Sequence, residues 1–446
     1  MLKISRGIIP LALALLVSSC FTSRQTTPTK DLPVTDPVQM SLDTVAFSEA
    51  QEEWRTRHSS DSRANRSPGS VDIDTIPVEK YRAQVTFADS VFLGLLSPES
   101  AGRGDQAETF YFSPTGRLII PMDTVTIIGT GDIMPGTNYP DNRYLPPGND
   151  CAALFDPVRE ILQSADVTFG NLEGVLASDV GTAKKCNNPD VCYVFRMPDT
   201  TLECILDAGY DVLSVANNHV NDFGYAGRMN TAKLLVEAGV PFAGFREYPS
   251  AQFEMNGVTY GFAAFSPHSG TLSLKDYDGA AEIVRQLDAE CDIVIVSFHG
   301  GAEGRDHQHV PCTDEEYLGY NRGNVCKFAH AVVDAGADVV FGHGPHVIRG
   351  MELYNDRLIC YSLGNFCTYA RFNLSGPNGL APIVKVFTGT DGSFRGGEVI
   401  PVRQPGEGGP VLDPSNMAIR KLQELTRADF PDSGLIIEDN GKISAK

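Results

Sequence analysis

From about Pro121 onward, apolar and polar positions along the chain follow two alternating patterns. Six short runs are almost wholly apolar and rich in Val and Ile: "TVTIIG", "ADVTFG", "DVLSVA", "DIVIVSF", "ADVVFG" and "RLICYSL". Uninterrupted runs of this length predict strands buried on both faces. Between them lie "CAALFDPVREILQ", "DTTLECILDAG", "AGRMNTAKLLVEAG", "DGAAEIVRQLDA" and "NVCKFAHAVVDAG", whose apolar positions recur three and four residues apart. That spacing predicts helices with one buried stripe. Gly209, Gly239 and Gly336 close three of them, as a left-handed cap requires. "FEMNGVTYGFAAFS" and "MELYNDRLICYSL" predict hairpins turning at Asn256-Gly257 and Asn355-Asp356. Strands alternating with helices predict an α/β fold, and the hairpins make its sheets mixed: layered mixed β-sheets flanked by helices. This domain is expected over 121–405, with 406–446 as a C-terminal extension ending in the helical stretch "SNMAIRKLQELT".

The first 120 residues read differently. "MLKISRGIIPLALALLVSSC" has basic residues, then an apolar stretch, then small residues before Cys20. It predicts a secretory signal over 1–20, too short for a permanent membrane helix. "VSSC" resembles a bacterial lipobox, which makes Cys20 the lipidation site and the lipid the link to the membrane. Phe21 in place of aspartate favours the outer membrane or periplasmic face of a Gram-negative envelope. Residues 21–75, rich in Thr, Ser, Pro and Gln, predict a flexible tether. Residues 76–120 are either an accessory element or more linker.

Charge and cysteine content narrow the function classes. With 56 acidic against 36 basic residues the chain carries a net charge of -20, which repels nucleic acid. An anionic substrate therefore needs local cations. No CxxC pair occurs, so a zinc ribbon or thioredoxin-like site is excluded. In an oxidising compartment Cys186/Cys192 and Cys312/Cys326 are candidate disulfides. Cys204, Cys291 and Cys360 fall in apolar segments and are expected as small core residues. Neither GxSxG nor GxxxxGK[ST] is present, which argues against a serine hydrolase and a P-loop enzyme.

Candidate chemistry collects at the strand ends. "TIIGTGD" delivers Asp132, "VTFGNLE" Asn171 and Glu173, and "VLSVANNH" Asn217, Asn218 and His219. "IVSFHGGAE" delivers His299 and Glu303, "VVFGHGPH" His343 and His346, and "CYSLGNF" Asn365. Parallel strands bring such ends to one edge of a sheet, where α/β proteins bind ligands. Four of the nine histidines lie there beside carboxylates, a donor mixture that suits Zn, Mn, Fe or Ni rather than calcium. His268 and the pair His307/His309 rank lower and are expected in exposed loops.

"TGDIMPG", "GNLEG", "FRMP", "VANNHVNDFG", "FHGGAE" and "GHGPHVIRGMELYNDRLICYSLGNF" resemble the CapA (PgsA-like) poly-γ-glutamate capsule family, within the calcineurin-like metallophosphoesterase superfamily. The resemblance covers about residues 122–390. It implies an α-β-β-α core and one or two divalent ions, Mn, Fe or Zn. Asp132, Asn218, His299 and His343 match metal ligands of that pattern, Asn171, Glu173 and His346 complete the expected metal-binding set, and His219 matches the imidazole that protonates or stabilises the reacting group. Three positions depart from it. Met134 stands where the superfamily has a histidine, Asn171 replaces a bridging aspartate so that Glu173 takes the metal, and "GHGPH" moves the last imidazole to His346. A weakened first metal follows.

The resemblance implies a surface-anchored, metal-dependent hydrolase acting on an amide or phosphoester of an anionic envelope polymer or γ-glutamyl peptide. Two metals about 3.5–4 Å apart would clamp the reacting oxyanion. Arg196, Asn217, Glu303 and Asn365 are the candidate substrate-binding or ligand-orienting residues, with Arg349, Lys184 and Lys185 as weaker cations. The alternative is a non-catalytic capsule assembly or export component that binds polymer through a degenerate metal site.

Overall fold

The structure, a computed structural model, describes residues 124–186 and 192–446 together with the paired strands Tyr111–Phe112 and Leu118–Ile119. The expected signal segment with Cys20, the tether and most of 76–120 lie outside the described residues.

One sheet begins with β1 (Val125–Met134), β2 (Val167–Leu172), β3 (Val212–Ser214) and β4 (Phe242–Ala243), all parallel. A second comprises β5 (Ser250–Met255), β6 (Val258–Phe265), β7 (Ile293–His299), β8 (Val339–His343), β9 (Met351–Tyr354) and β10 (Arg357–Cys360). Its order is β9-β10-β8-β7-β6-β5, with four parallel strands inside and an antiparallel strand at each edge. Those edges are the two hairpins the sequence predicts. The chain then returns to the first sheet. There β11 (Asn365–Thr368) runs parallel to the end of β1, and β12 (Leu380–Thr388) runs antiparallel to its beginning. Next to β12 comes β13 (Phe394–Arg403), and β14 (Leu435–Ile437) with β15 (Lys442–Ala445) completes the edge.

Side-chain alternation sorts these strands into layers. Val125 and Ile127 of β1 enter the cluster between the sheets, while Ile128 joins the outer one. Ile293 and Ile295 of β7 point inward, and Val294, Val296 and Phe298 outward. Leu202 and Ile205 of α1 (Thr201–Ala208) and Ala232 and Leu235 of α2 (Gly224–Glu237) cover the first sheet. Val284 and Leu287 of α3 (Tyr277–Asp288) and Phe328 and Val332 of α4 (Val325–Val333) cover the second. The result is the expected α-β-β-α layering. Phe169 and Phe341 stack across the centre with ring centroids 5.1 Å apart. A Cβ at Gly129 would collide with the Phe341 ring, so glycine is needed for this close approach of the sheets.

Three expectations are corrected. "CAALFDPVREILQ" is not one helix. Pro157, which cannot supply an interior N–H, separates Ala152–Phe155 from Arg159–Leu162. Residues 406–446 are not an appendage: α5 (Met417–Asp429) places Ala418, Ile419, Leu422 and Leu425 in the inter-sheet core, and Val411–Leu412 pairs with β13. Cys204 is disulfide-bonded to Cys151, whereas Cys186–Cys192 and Cys312–Cys326 pair as expected. Among the described residues Cys291, Cys360 and Cys367 are free thiols, and no helix is long and apolar enough to cross a membrane.

Candidate metal centre

Strand register does the first work of assembly. Asp132 is the cross-strand partner of Asn171 on one side and Asn365 on the other, and His299 is the partner of His343. Nε2 of His343 lies 3.0 Å from the carbonyl oxygen of Thr130, which ties the second sheet to the first at the same level. The asparagine, carboxylate and imidazole groups at the ends of β1, β2, β7 and β8 therefore meet.

One oxygen of Asp132, one of Glu173 and one ring nitrogen of His299 lie within 4.8 Å of one another, all three residues buried. The Nδ2 group of Asn171 donates to Oδ1 of Asp132 at 2.8 Å and to Oε2 of Glu173 at 2.6 Å. Asn171, expected as a metal ligand, instead bridges the two carboxylates through its N–H groups, and its Oδ1 accepts from Asn217 at 3.3 Å. On the opposite side Nδ1 of His346 lies 2.8 Å from Oδ2 of Asp132. His346 follows Gly344-Pro345 in a tight turn and holds a positive φ of 56°, a conformation that is costly for a residue with a Cβ.

Electrostatics at this point are dominated by burial. Burial pushes the Asp132 carboxyl up, but the hydrogen bond and charge of His346 outweigh it and hold the group below the usual range. Burial pushes His346 down, and the Asp132 hydrogen bond and charge reverse this, raising it to about 10. Glu173 is raised well above an ordinary carboxyl by burial and then by the Asp132 charge. His299 is driven well below an ordinary imidazole by burial and then by the charge of His268.

Several buried atoms here have no hydrogen-bond partner: Oε1 of Glu173, both ring nitrogens of His299, Nδ1 of His343, and Oδ1 of Asn218 and Asn365. Orphaned acceptors in a dry interior are expensive unless something cationic satisfies them. Two carboxylates, imidazole nitrogens and an amide oxygen are the donor set of a transition divalent ion, so the residues present fit a divalent metal. Asp132, Glu173 and His299 would hold it, with Asn218 and Nδ1 of His343 at the margin.

His219 stands beside this cluster, its Nε2 3.9 Å from Oε1 of Glu173. Its Nδ1 lies 2.7 Å from Oδ2 of Asp222, and Nζ of Lys184 lies 2.6 Å from Oδ1 of that carboxylate. Phe195 packs on the imidazole at 4.2 Å between centroids. Burial holds His219 below its ordinary value, more than the neighbouring Asp222 charge raises it. A neutral ring that donates Nδ1–H to Asp222 carries its lone pair on Nε2, facing the cluster.

Next to the buried cluster, reached through His219 and His346, lies a cleft of about 810 Å³. Its lining includes Asn218, His219, Glu303, His346 and Asn365 from the expected set. Among the described residues it also includes Lys184, Lys185, Arg322 and Arg371 against a single carboxylate, Glu303, in a chain with 20 more acidic than basic residues. Four of the expectations change. Arg196 turns away, donating to Asn138 at 2.6 Å and lying over the Phe223 ring. Asn217 is buried beneath the site, donating to the carbonyl of Leu172 at 2.7 Å and accepting from the His219 backbone at 3.0 Å. Arg349 is saturated by Glu315 and is not open to a ligand. His268 is no exposed-loop residue: it lines the cleft, and its Nε2 lies 2.7 Å from Arg322. Asp222, Arg322 and Arg371 were not anticipated. Only Asp222 left a signal, three residues after His219 in "NHVND", where its N–H closes a turn onto the His219 carbonyl at 3.0 Å.

Fold and site together define an α-β-β-α protein with a buried divalent-metal donor set at its strand ends. Residues 126–370 match the family described as bacterial capsule synthesis protein PGA_cap, and the chain belongs to that family. It is 30% identical over 266 residues to the capsule biosynthesis protein CapA of Bacillus anthracis, covering 55% of this chain and 60% of that protein. To the PGA biosynthesis protein CapA of Bacillus subtilis (strain 168) it is 30% identical over 262 residues, covering 55% of this chain and 63% of that one. The chain thus spans about three fifths of the length of these relatives. Among solved structures, a 5'-nucleotidase precursor from Thermus thermophilus aligns with 13% identity and a TM-score of 0.35, covering 70% of this chain and 60% of the other. That score is too low to carry weight below.

Proposed function

We propose that this protein is a metal-dependent hydrolase of the cell envelope, acting on an amide or phosphoester bond of a capsule-type polyanion such as poly-γ-glutamate. The observation that carries the reading is the His219–Asp222 pair beside the Asp132, Glu173 and His299 cluster, with His219 lining a cleft that also carries Lys184, Lys185 and Arg371. Family membership and the names of the two relatives support an envelope polymer as the substrate. A lipid on Cys20 would place the catalytic domain at the membrane surface, in keeping with the expected signal.

Held by Asp132, Glu173 and His299, a divalent ion such as Mn, Fe or Zn would supply Lewis acidity at the scissile group. The residues supply the rest. Lys184, Lys185 and Arg371 draw a polyanion into the cleft. His219 at Nε2 takes the proton of the attacking water and returns it to the leaving amine or alkoxide, and Asp222 stabilises the imidazolium between those transfers. Glu303 and Asn365 line the path of the substrate. Asn171 donating to both carboxylates leaves fewer of their lone pairs for cations, which favours one metal over two. That same contact favours a second reading, a polymer-binding component without turnover.

Elemental analysis of purified protein, combined with hydrolysis assays on γ-glutamyl peptides and phosphoesters, separates the two. One equivalent of transition metal with chelator-sensitive cleavage is expected. Metal-free protein that binds polymer without cleaving it would establish the second reading.

A further inference from the structure

Two arginines meet the hairpin formed by Glu315–Tyr317 and Tyr320–Gly323, and they are satisfied in opposite ways. Arg349 is fully buried. Its Nε donates to the His307 carbonyl at 2.8 Å, and its terminal nitrogens donate to Oε1 and Oε2 of Glu315 at 2.8 and 2.7 Å and to the Ala302 carbonyl at 3.2 Å. A guanidinium has five N–H donors. Here nearly all of them end on acceptors that fix the root of the hairpin. Arg322 is 7% exposed; its guanidinium lies over the Tyr317 ring at 5.5 Å and its terminal nitrogens make two polar contacts. One terminal nitrogen is 2.7 Å from Nε2 of His268, the other 2.7 Å from Oε1 of Glu303. Its Nε has no partner. Arg228 is also buried with an unpartnered Nε, but it lies outside the cleft, whereas Arg322 lines it.

The hairpin has little packing of its own to explain it. Leu318 and Gly319 turn it at φ of 50° and 79°, and the Cys312–Cys326 disulfide closes its root. Leu318 is 57% and Tyr320 69% exposed. What it contributes is one wall of the cleft: Tyr317, Leu318, Tyr320 and Arg322. The ring of His268 lies 6.0 Å from that of His299, so the guanidinium is one imidazole removed from a candidate metal ligand. His268 accepts from Arg322 and Glu303 meets the cation through one oxygen only, while Arg322 itself lines the cleft.

We propose that Arg322 is the specificity-determining residue of the cleft. Its unused N–H donors hold a paired-oxygen anion, carboxylate or phosphate, of the molecule whose scissile bond lies at the Asp132, Glu173 and His299 cluster. The assignment rests on the hydrolase reading for where that bond lies, while the binding itself requires no turnover.

The test is calorimetric binding to the full chain, with and without chelator. The probes are a γ-glutamyl tripeptide, the same tripeptide with its carboxylates converted to carboxamides, and inorganic phosphate. Wild type is expected to prefer the acid peptide. Arg322→Gln should weaken that binding about 10- to 100-fold, the size of one charged hydrogen-bonding contact, and leave binding of the carboxamide unchanged. Glu303→Gln removes the carboxylate paired with Arg322 and should tighten the acid peptide. It also decides the matter where Arg322→Gln does not fold. Loss of phosphate binding alone in Arg322→Gln identifies phosphate as the anion. Equal binding of both anions by wild type and Arg322→Gln overturns the proposal, as does wild type binding neither anion. Turnover is scored separately: peptide binding lost in Arg322→Gln without turnover by metal-loaded wild type refutes only the hydrolase reading. Turnover with unchanged binding in Arg322→Gln refutes only the assignment of Arg322.

Discussion

Nδ1 of His219 lies 2.7 Å from Oδ2 of Asp222, and the same oxygen accepts the backbone N–H of Phe195 at 2.7 Å. One carboxylate therefore fixes both the ring and the loop that packs on it. Asp222→Asn keeps the shape but removes the charge that stabilises the imidazolium and leaves Lys184 unpaired. Turnover of a γ-glutamyl substrate is expected to fall roughly 10²- to 10⁴-fold with metal content unchanged. Steady-state kinetics and elemental analysis on the same preparation check both halves.

Metal content and turnover should separate along the same line. Asp132→Ala and His299→Ala each remove one of three clustered donors, and both are expected to lose bound metal. His219→Ala lies outside that set and should retain metal while losing activity. Mass-spectrometric metal quantitation after dialysis reads this directly. Retention of metal in Asp132→Ala would remove the site as described.

Acid sensitivity should trace in part to His268. Burial, and then the Arg322 charge, lower its folded-state value from 6.5 to about 3. The unfolded chain therefore takes up a proton below pH 6.5 that the folded chain refuses. This contribution to stability is whole above pH 6.5 and is lost as pH falls towards 3. His268→Gln still accepts from Arg322 but does not titrate. Its loss of stability between pH 7.5 and 5 is expected to be smaller than that of wild type by about 1–2 kcal/mol, measured by denaturant unfolding at the two pH values.

Arg322 in the hairpin and Arg349 beneath its root should behave unlike each other in melting experiments. Arg349→Gln strands Glu315 in the interior and is expected to cost about 3–5 kcal/mol. Arg322→Gln faces the cleft and is expected to shift the melting temperature far less. Differential scanning calorimetry of the two variants makes the comparison.

The disulfide at the root of that hairpin spans 14 residues. Closing a loop of this length is expected to stabilise by about 3 kcal/mol. Replacing Cys312 and Cys326 together by serine should lower stability by that amount and, on the reading above, weaken anion binding as Arg322 loses its frame. Unfolding and calorimetric titration of the double variant test the two effects.

Much of the fold was legible because it follows from periodicity. The apolar runs from "TVTIIG" to "RLICYSL" became strands, and their side chains alternate between clusters as a doubly buried strand requires. Asp132, Glu173 and His299 were readable because each lies within three residues of the end of such a run. What failed was of a different kind. Pro157 broke a helix that the apolar spacing alone supported. The 406–446 segment was expected as an extension because its approach is Gly/Pro-rich, whereas Leu435–Ile437 and Lys442–Ala445 complete a sheet through the pairing of Gly397 with Ile443 and Glu398 with Lys442. Arg196 was singled out over Lys184 since spacing does not say which way a cation on a two-residue strand points. Arg322 and His268 are 54 residues apart, on a polar hairpin and a loop, where no period marks either position.

The fixed root and projecting tip of the 315–323 hairpin divide labour within a single loop. Glu315 and the cystine anchor one end to the scaffold, while Leu318 and Tyr320 stand in solvent. Substitutions at the tip can therefore reshape which ligands are admitted without disturbing the reactive floor, which makes the hairpin the natural place to retarget this protein by engineering.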